Sequence, residues 1–176
     1  MATFKALVIA VFVVQAFGPA PTAFEPAVTA QLGLGRPPTA EELKSQDIEV
    51  RPDGRGLPTG GATAERGREV YARRCASCHG ASGKEGPFDR LVGGNGTLST
   101  LRPLKTVGSF WPYATTLWDY INRSMPYDRP RTLTTDEVYA TTAFVLYLNG
   151  IVGAADNLTE ATLPRVQMPN RDGFIR

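Results

Sequence analysis

Cys75-Ala76-Ser77-Cys78-His79 is the stretch on which the reading of this chain turns. C-x-x-C-H is the attachment sequence of a c-type haem. Two thiols three positions apart sit on one helical turn and can reach the two vinyl groups of one porphyrin, and the next residue places an imidazole under the iron. A disulfide or a thioredoxin-like pair needs no adjacent histidine. A zinc site needs about four Cys, His or carboxylate ligands, yet Cys75 and Cys78 are the only cysteines and His79 the only histidine. One covalently held haem c is therefore expected, with Cys75 and Cys78 as its links and His79 as an iron ligand.

Haem attachment of this kind takes place outside the bacterial cytoplasm, and the chain opens accordingly. Lys5 precedes the apolar run Ala6–Phe17, which Gly18-Pro19 ends. That is the build of a secretory signal peptide, and the run is too short to span a bilayer comfortably, which takes about 20 apolar residues; an uncleaved membrane anchor is the alternative. Cleavage is expected after Ala23 or after Ala30, within residues 1–30. The remaining chain, about 146 residues, is the size of one domain, and it is expected in the periplasm with no stable membrane insertion. Cleavage removes one charge of each sign, Lys5 and Glu25, so the net charge of +2 is unchanged. Nothing in this balance points to nucleic acid.

Working outward from the motif, Ala64–Arg74 reads as a helix with Thr63 as N-cap, Glu65 in the first turn, and a buried stripe of Gly67, Val70, Tyr71 and Arg74. Gly67 costs about 1 kcal/mol against alanine inside a helix; close approach of another helix explains it. Gly80 to Gly96 is a glycine-rich loop. A haem-ligating imidazole usually donates its other ring N–H to a carbonyl, and Pro87 is the candidate for that carbonyl, with Leu91 covering a haem edge. A second helix is expected over Tyr113–Arg123, with Pro112 near its start and Tyr113, Leu117, Tyr120, Ile121 and Ser124 along one side. Trp111, Tyr113, Trp118 and Tyr120 are rings that can pack on a porphyrin and aim an N–H or O–H at a propionate. The last helix, Thr135–Asn149, opens on the capping box Thr134-x-x-Glu137 and closes at Gly150. Its expected stripe is Tyr139, Thr142, Ala143, Leu146 and Tyr147, with small Thr142 and Ala143 where the Gly67 helix would cross. Residues 31–62 and 152–176, rich in proline and poor in periodicity, read as irregular arms over the surface or a partner. No strand pattern of substance is present.

The sixth iron ligand decides between electron transfer and an open, reactive iron. A second histidine is absent, which leaves Met125 and Met168, each followed by proline. Met125 lies between the aromatic helix and the capped last helix, in a loop stiffened by Pro126 and Pro130; Met168 lies in the tail. Position favours Met125, with an open or lysine-capped iron as the alternative. A soft, neutral thioether stabilises Fe(II) and raises the reduction potential. A haem enzyme or sensor with an exchangeable sixth ligand is the competing function, and the lack of a distal histidine for acid–base chemistry counts against it.

The order of these features across 63–151 resembles a class I cytochrome c, which implies an all-α fold of a few helices wrapped around one haem. Leu34-Gly35-Arg36-Pro37, Ile48-Glu49-Val50-Arg51-Pro52-Asp53-Gly54, Gly108-Ser109-Phe110-Trp111-Pro112-Tyr113-Ala114-Thr115-Thr116 and Met168-Pro169-Asn170-Arg171-Asp172-Gly173-Phe174 resemble the SoxD family, cytochrome subunits of periplasmic sulfur dehydrogenases. That resemblance implies a molybdenum-containing SoxC-like partner and oxidation of reduced sulfur compounds on that partner. It also implies a downstream acceptor such as another cytochrome, thioether links at Cys75 and Cys78, and axial ligands His79 and Met125. The chain itself is then an electron-transfer subunit without a substrate site. Well-known members carry a second haem domain where this sequence has one C-x-x-C-H, so a sulfite dehydrogenase subunit is the alternative.

Overall fold

Among the described residues the longest helix, Thr135–Leu148, is buried on every side through its middle, and most of the other elements pack on it. The computed structural model describes residues 35–174; segment 1–30, where a signal peptide is expected, lies outside them. Residues 35–39 are exposed chain without regular structure, in a unit separate from the one that begins at Ala40. In that second unit the order is α1 (Ala40–Gln46), β1 (Gly61–Ala62), α2 (Ala64–Arg74), α3 (Ala76–His79), α4 (Val107–Phe110), α5 (Ala114–Ser124), α6 (Thr135–Leu148), β2 (Leu158–Thr159) and a 3-10 turn at Leu163–Arg165. The fold is all-α as expected, with β1 and β2 forming only a two-residue antiparallel ladder, Gly61 opposite Thr159 and Ala62 opposite Leu158. Among the described residues no helix is long and apolar enough to cross a membrane.

The caps read from the sequence form. Thr63 Oγ1 accepts from Arg66 N at the start of α2. At the start of α6 the Thr134 and Glu137 side chains each accept from the other's backbone N–H. Gly150, at φ +68°, turns the chain out of α6, and the Gly150 and Ile151 amides return to the Tyr147 and Leu146 carbonyls.

Two helices differ from expectation. In α6 every residue from Val138 to Leu146 is buried, rather than a single stripe. A helix apolar all round belongs in the middle of a core, and α2, α5, α4 and both strands pack on it. The α2 crossing falls at the expected level of the helix but on the face of Ala140 and Phe144 rather than on that of Thr142 and Ala143: a methyl group on Gly67 would overlap the Ala140 carbonyl. Tyr71 and Phe144 meet beside that crossing with their rings tilted by 55°, centroids 5.1 Å apart. In α5, Tyr113 is the N-cap and not the first helical residue; Trp118 and Asp119 are buried while Tyr120 faces solvent. Helix α4 was not expected from periodicity. Its capping box, Thr106 with Ser109, holds it together.

Residues 48–62 and 152–170 are not detached arms. Helix α1 is exposed throughout, but Val50 on one side and Leu158, Leu163 and Met168 on the other are core residues. Val50 N donates to Asp119 Oδ1 (3.2 Å), Thr115 Oγ1 to the Pro52 carbonyl (3.2 Å) and Tyr139 Oη to the Pro58 carbonyl (2.9 Å). Asn170 Nδ2 donates to the Phe110 carbonyl (2.8 Å), and Arg171 lies over the Tyr113 ring. Proline denies these segments helix, and side-chain donors from the helices satisfy their carbonyls instead.

Candidate haem site

Helix α2 stops because Cys75 leaves helical geometry (φ −125°, ψ −34°), although its amide still reaches the Tyr71 carbonyl at 2.9 Å. The single turn of α3 follows at a new angle, with Cys78 N and His79 N both bonded to the Cys75 carbonyl. Cys75 and Cys78 therefore lie on one turn, half-buried and unpaired. Burial, with a smaller push from the neighbouring Cys78, raises the Cys75 thiol to about 11.

The glycine-rich loop folds back onto this turn. Gly80 (φ +79°) reverses the chain, and Gly86 lies so close to the Cys78–His79 backbone that a side chain there would overlap the Cys78 carbonyl. The Phe88 amide bonds the same carbonyl at 3.1 Å. Tyr71 Oη donates to the Gly80 carbonyl at 3.0 Å. Glu85 accepts from Ser82 and from the Lys84 amide, bonds that hold its carboxyl below the usual range.

The carbonyl that meets His79 is Asp89's, 3.0 Å from Nδ1, and not Pro87's. The reason is register: the backbone approach at Gly86 and the Phe88 amide bond occupy the loop up to Phe88, so the first free carbonyl aimed at the ring comes two residues beyond the proline. A carbonyl only accepts, so Nδ1 carries the proton and Nε2 keeps its lone pair, the form that binds a metal. Leu91 is half-buried, with its amide on the Gly83 carbonyl and its own carbonyl taking a bond from Asn149 Nδ2.

Met125 caps α5 through its amide on the Ile121 carbonyl and is half-buried against the core. Arg74, adjacent to Cys75, donates to Thr132 Oγ1 at 2.7 Å, which ties the end of α2 to the Met125 loop. Met168 is 3 % exposed and lies within the core cluster. Trp111 meets Tyr120 edge-on at 5.6 Å, and Tyr113 lies under Arg171. Trp118 Nε1 is buried with no hydrogen-bond partner among the described residues.

This donor set fits a c-type haem: two free thiols on one turn, an imidazole with Nε2 available, a half-buried thioether, and an unpartnered indole N–H of the kind a propionate accepts from. Comparison with known proteins agrees. Residues 62–145 match the family model described as cytochrome c oxidase, cbb3-type, subunit III. A solved structure, the sulfane dehydrogenase SoxCD from Paracoccus pantotrophus, aligns with 44% sequence identity and a TM-score of 0.76 over 82% of this chain and 71% of that one. The chain belongs to the SoxD family of class I cytochromes c. No curated protein shows significant similarity to it. Its helices thus take a class I cytochrome fold, and haem c is the cofactor that fold implies.

Sequence reasoning missed three tethers of this SoxD-family site. Asn149 Oδ1 accepts from Gly93 N (3.2 Å) while its Nδ2 holds the Leu91 and Val145 carbonyls, so it pins the loop to the end of α6. Arg74–Thr132 and Asp119–Val50 are the others. Each joins residues far apart in the chain, and no local pattern announces such a pair. The Thr106-x-x-Ser109 box was the one signal available for α4.

Proposed function

We propose that the chain is a periplasmic electron-transfer subunit that takes electrons from a molybdenum-containing, SoxC-like sulfur dehydrogenase and passes them to a further carrier such as another cytochrome. The alignment with a sulfane dehydrogenase across most of the chain carries this reading. In it, Cys75 and Cys78 form the thioether links, His79 and Met125 are the axial ligands, and residues 1–30 are the export signal. Haem iron between an imidazole and a thioether cycles between Fe(II) and Fe(III), with the thioether favouring Fe(II).

The protein's own part is to keep that cycle free of rearrangement. The Asp89 carbonyl keeps the proton on Nδ1 and orients the ring; Tyr71, Gly86 and Asn149 hold the loop that carries this carbonyl. Half-burial of Met125 limits competition from water. Oxidation of the sulfur compound, by this reading, occurs on the partner.

Purification of the natural complex with assay of molybdenum beside haem tests the proposal. Near-equal amounts of the two, and reduction of the haem on addition of a sulfane-bearing carrier protein, are expected. A haem protein that elutes without molybdenum and is not reduced by the partner overturns it, and reduction by sulfite alone assigns the partner to sulfite.

A further inference from the structure

Asp119 is 5 % exposed, in the middle of α5, two turns before Met125. Its carboxylate has two partners. Oδ1 accepts from the buried Val50 amide at 3.2 Å and from Arg123 Nε at 3.0 Å, and Oδ2 pairs with the Arg123 guanidinium. Thr115, one turn earlier on the same side of the helix, donates to the Pro52 carbonyl. Residues 50–52 thus run antiparallel along α5, tied at two successive turns, with the Val50 side chain in the core. On the other side Ala114, Leu117, Trp118 and Ile121 are buried, and Met125 continues that row. Helix α5 has no side-chain cap at its start, and its direct packing on α6 is lighter than that of α2. The strap supplies what the bundle does not.

We infer that Asp119 is a positioning residue for the sixth ligand: by clamping the 50–52 strap to α5 it fixes the height and rotation of the helix whose last turn presents Met125. This rests on Met125 being the distal ligand. A carboxylate suits the task, because one group can accept from a backbone amide and pair with Arg123 at once, and charge-assisted bonds of this kind are the stronger ones.

The test uses the full-length haem-loaded protein. In Asp119→Ala the Met–Fe(III) charge-transfer absorption is expected to vanish at lower pH than in the parent, and cyanide should bind to the ferric iron about tenfold more tightly, the loss of one charge-assisted bond in an equilibrium. Asp119→Asn keeps the shape and an acceptor for Val50 and should shift both by less; it also serves if the alanine variant does not fold. Thr134→Ala removes the α6 cap, whose hydrogen bonds are to Glu137 and involve neither Asp119 nor residues 50–52, and should lower stability to urea without moving either readout. If Asp119→Ala and Thr134→Ala shift ligand exchange alike, or neither Asp119 variant shifts it, Asp119 only supports the fold and the inference fails. If Met125→Ala retains the charge-transfer absorption, the assignment of the ligand itself is wrong and the inference falls with it, by a result that is distinct.

Discussion

At the scale of single residues, the two methionines show why one side chain is proposed as a ligand and the other is not. Both precede proline, both are thioethers, and local sequence treats them alike. Met168 is 3 % exposed among core residues, so its sulfur is already occupied by packing. Met125 ends a helix beside the loop that Arg74 ties to the cysteine turn. Met125→Ala is expected to abolish the Met–Fe charge-transfer absorption, lower the reduction potential and open the iron to cyanide. Met168→Ala should leave that absorption in place but lower stability by about 2–5 kcal/mol, as removal of a buried methionine does. Visible spectra and urea titrations of the two variants, side by side, separate these outcomes; a Met168→Ala protein with altered ligation and unchanged stability would reverse the assignment. The Pro87 expectation failed at this same scale. The loop was legible in its glycines and its proline, but which carbonyl meets the imidazole depends on a register of two residues that the backbone contacts at Gly86 and Phe88 decide.

At the scale of elements, the buried tyrosines are where helices hold loops. Tyr71 on α2 donates to the Gly80 carbonyl and Tyr139 on α6 to that of Pro58. Burial pushes both phenols up to about 12, with a smaller push from Glu85 at Tyr71 and from Glu160 at Tyr139. A phenol whose value is raised in the folded state favours the fold while it is protonated. That contribution is complete below the unfolded value near 10 and is lost as pH rises through about 12. Stability is therefore expected to fall steeply across that window. Tyr139→Phe should lose about 1 kcal/mol at neutral pH, the worth of one hydrogen bond, and show a shallower alkaline decline. Unfolding titrations at neutral and alkaline pH measure both, and an alkaline decline as steep as the parent's would remove Tyr139 from this account. Sequence located the helices themselves well, because α2 and α6 carry caps and stops in their own residues. It misjudged which sides are buried: α6 has apolar or small residues all round, so no single stripe could be picked out, and Tyr120 in α5 matched the period yet points to solvent.

At the scale of the whole molecule, the cytochrome core does not close on itself. Residues 63–151 were expected as a complete domain, but Val50, Leu158, Leu163 and Met168 belong to the core and come from outside that range. Burying each of these side chains is worth about 1.5–3 kcal/mol, so four together contribute about 6–12 kcal/mol, comparable with the whole stability of a typical domain. A chain of residues 61–153 is thus expected to unfold without a cooperative transition, or at far lower urea concentration than residues 40–174, even with its haem covalently attached. Circular dichroism against urea for the two chains provides the measurement. Equal midpoints would restore the flanking segments to the role of detachable arms.

What the sequence determined alone is local in origin. The C-x-x-C-H turn, the Thr63 and Thr134 caps, the Gly150 stop and the glycine-rich loop each depend on residues within a few positions of one another, where covalent spacing and backbone preference act directly. Only the tertiary structure decided the rest: that Asp89 rather than Pro87 faces His79, that Met168 is packing, that α6 is buried on every side, and that residues 48–62 and 152–170 complete the core. These depend on contacts between residues as much as a hundred positions apart, such as Gly60 with Glu160, where proline-rich chain without periodicity is held by donors and apolar side chains supplied by other elements.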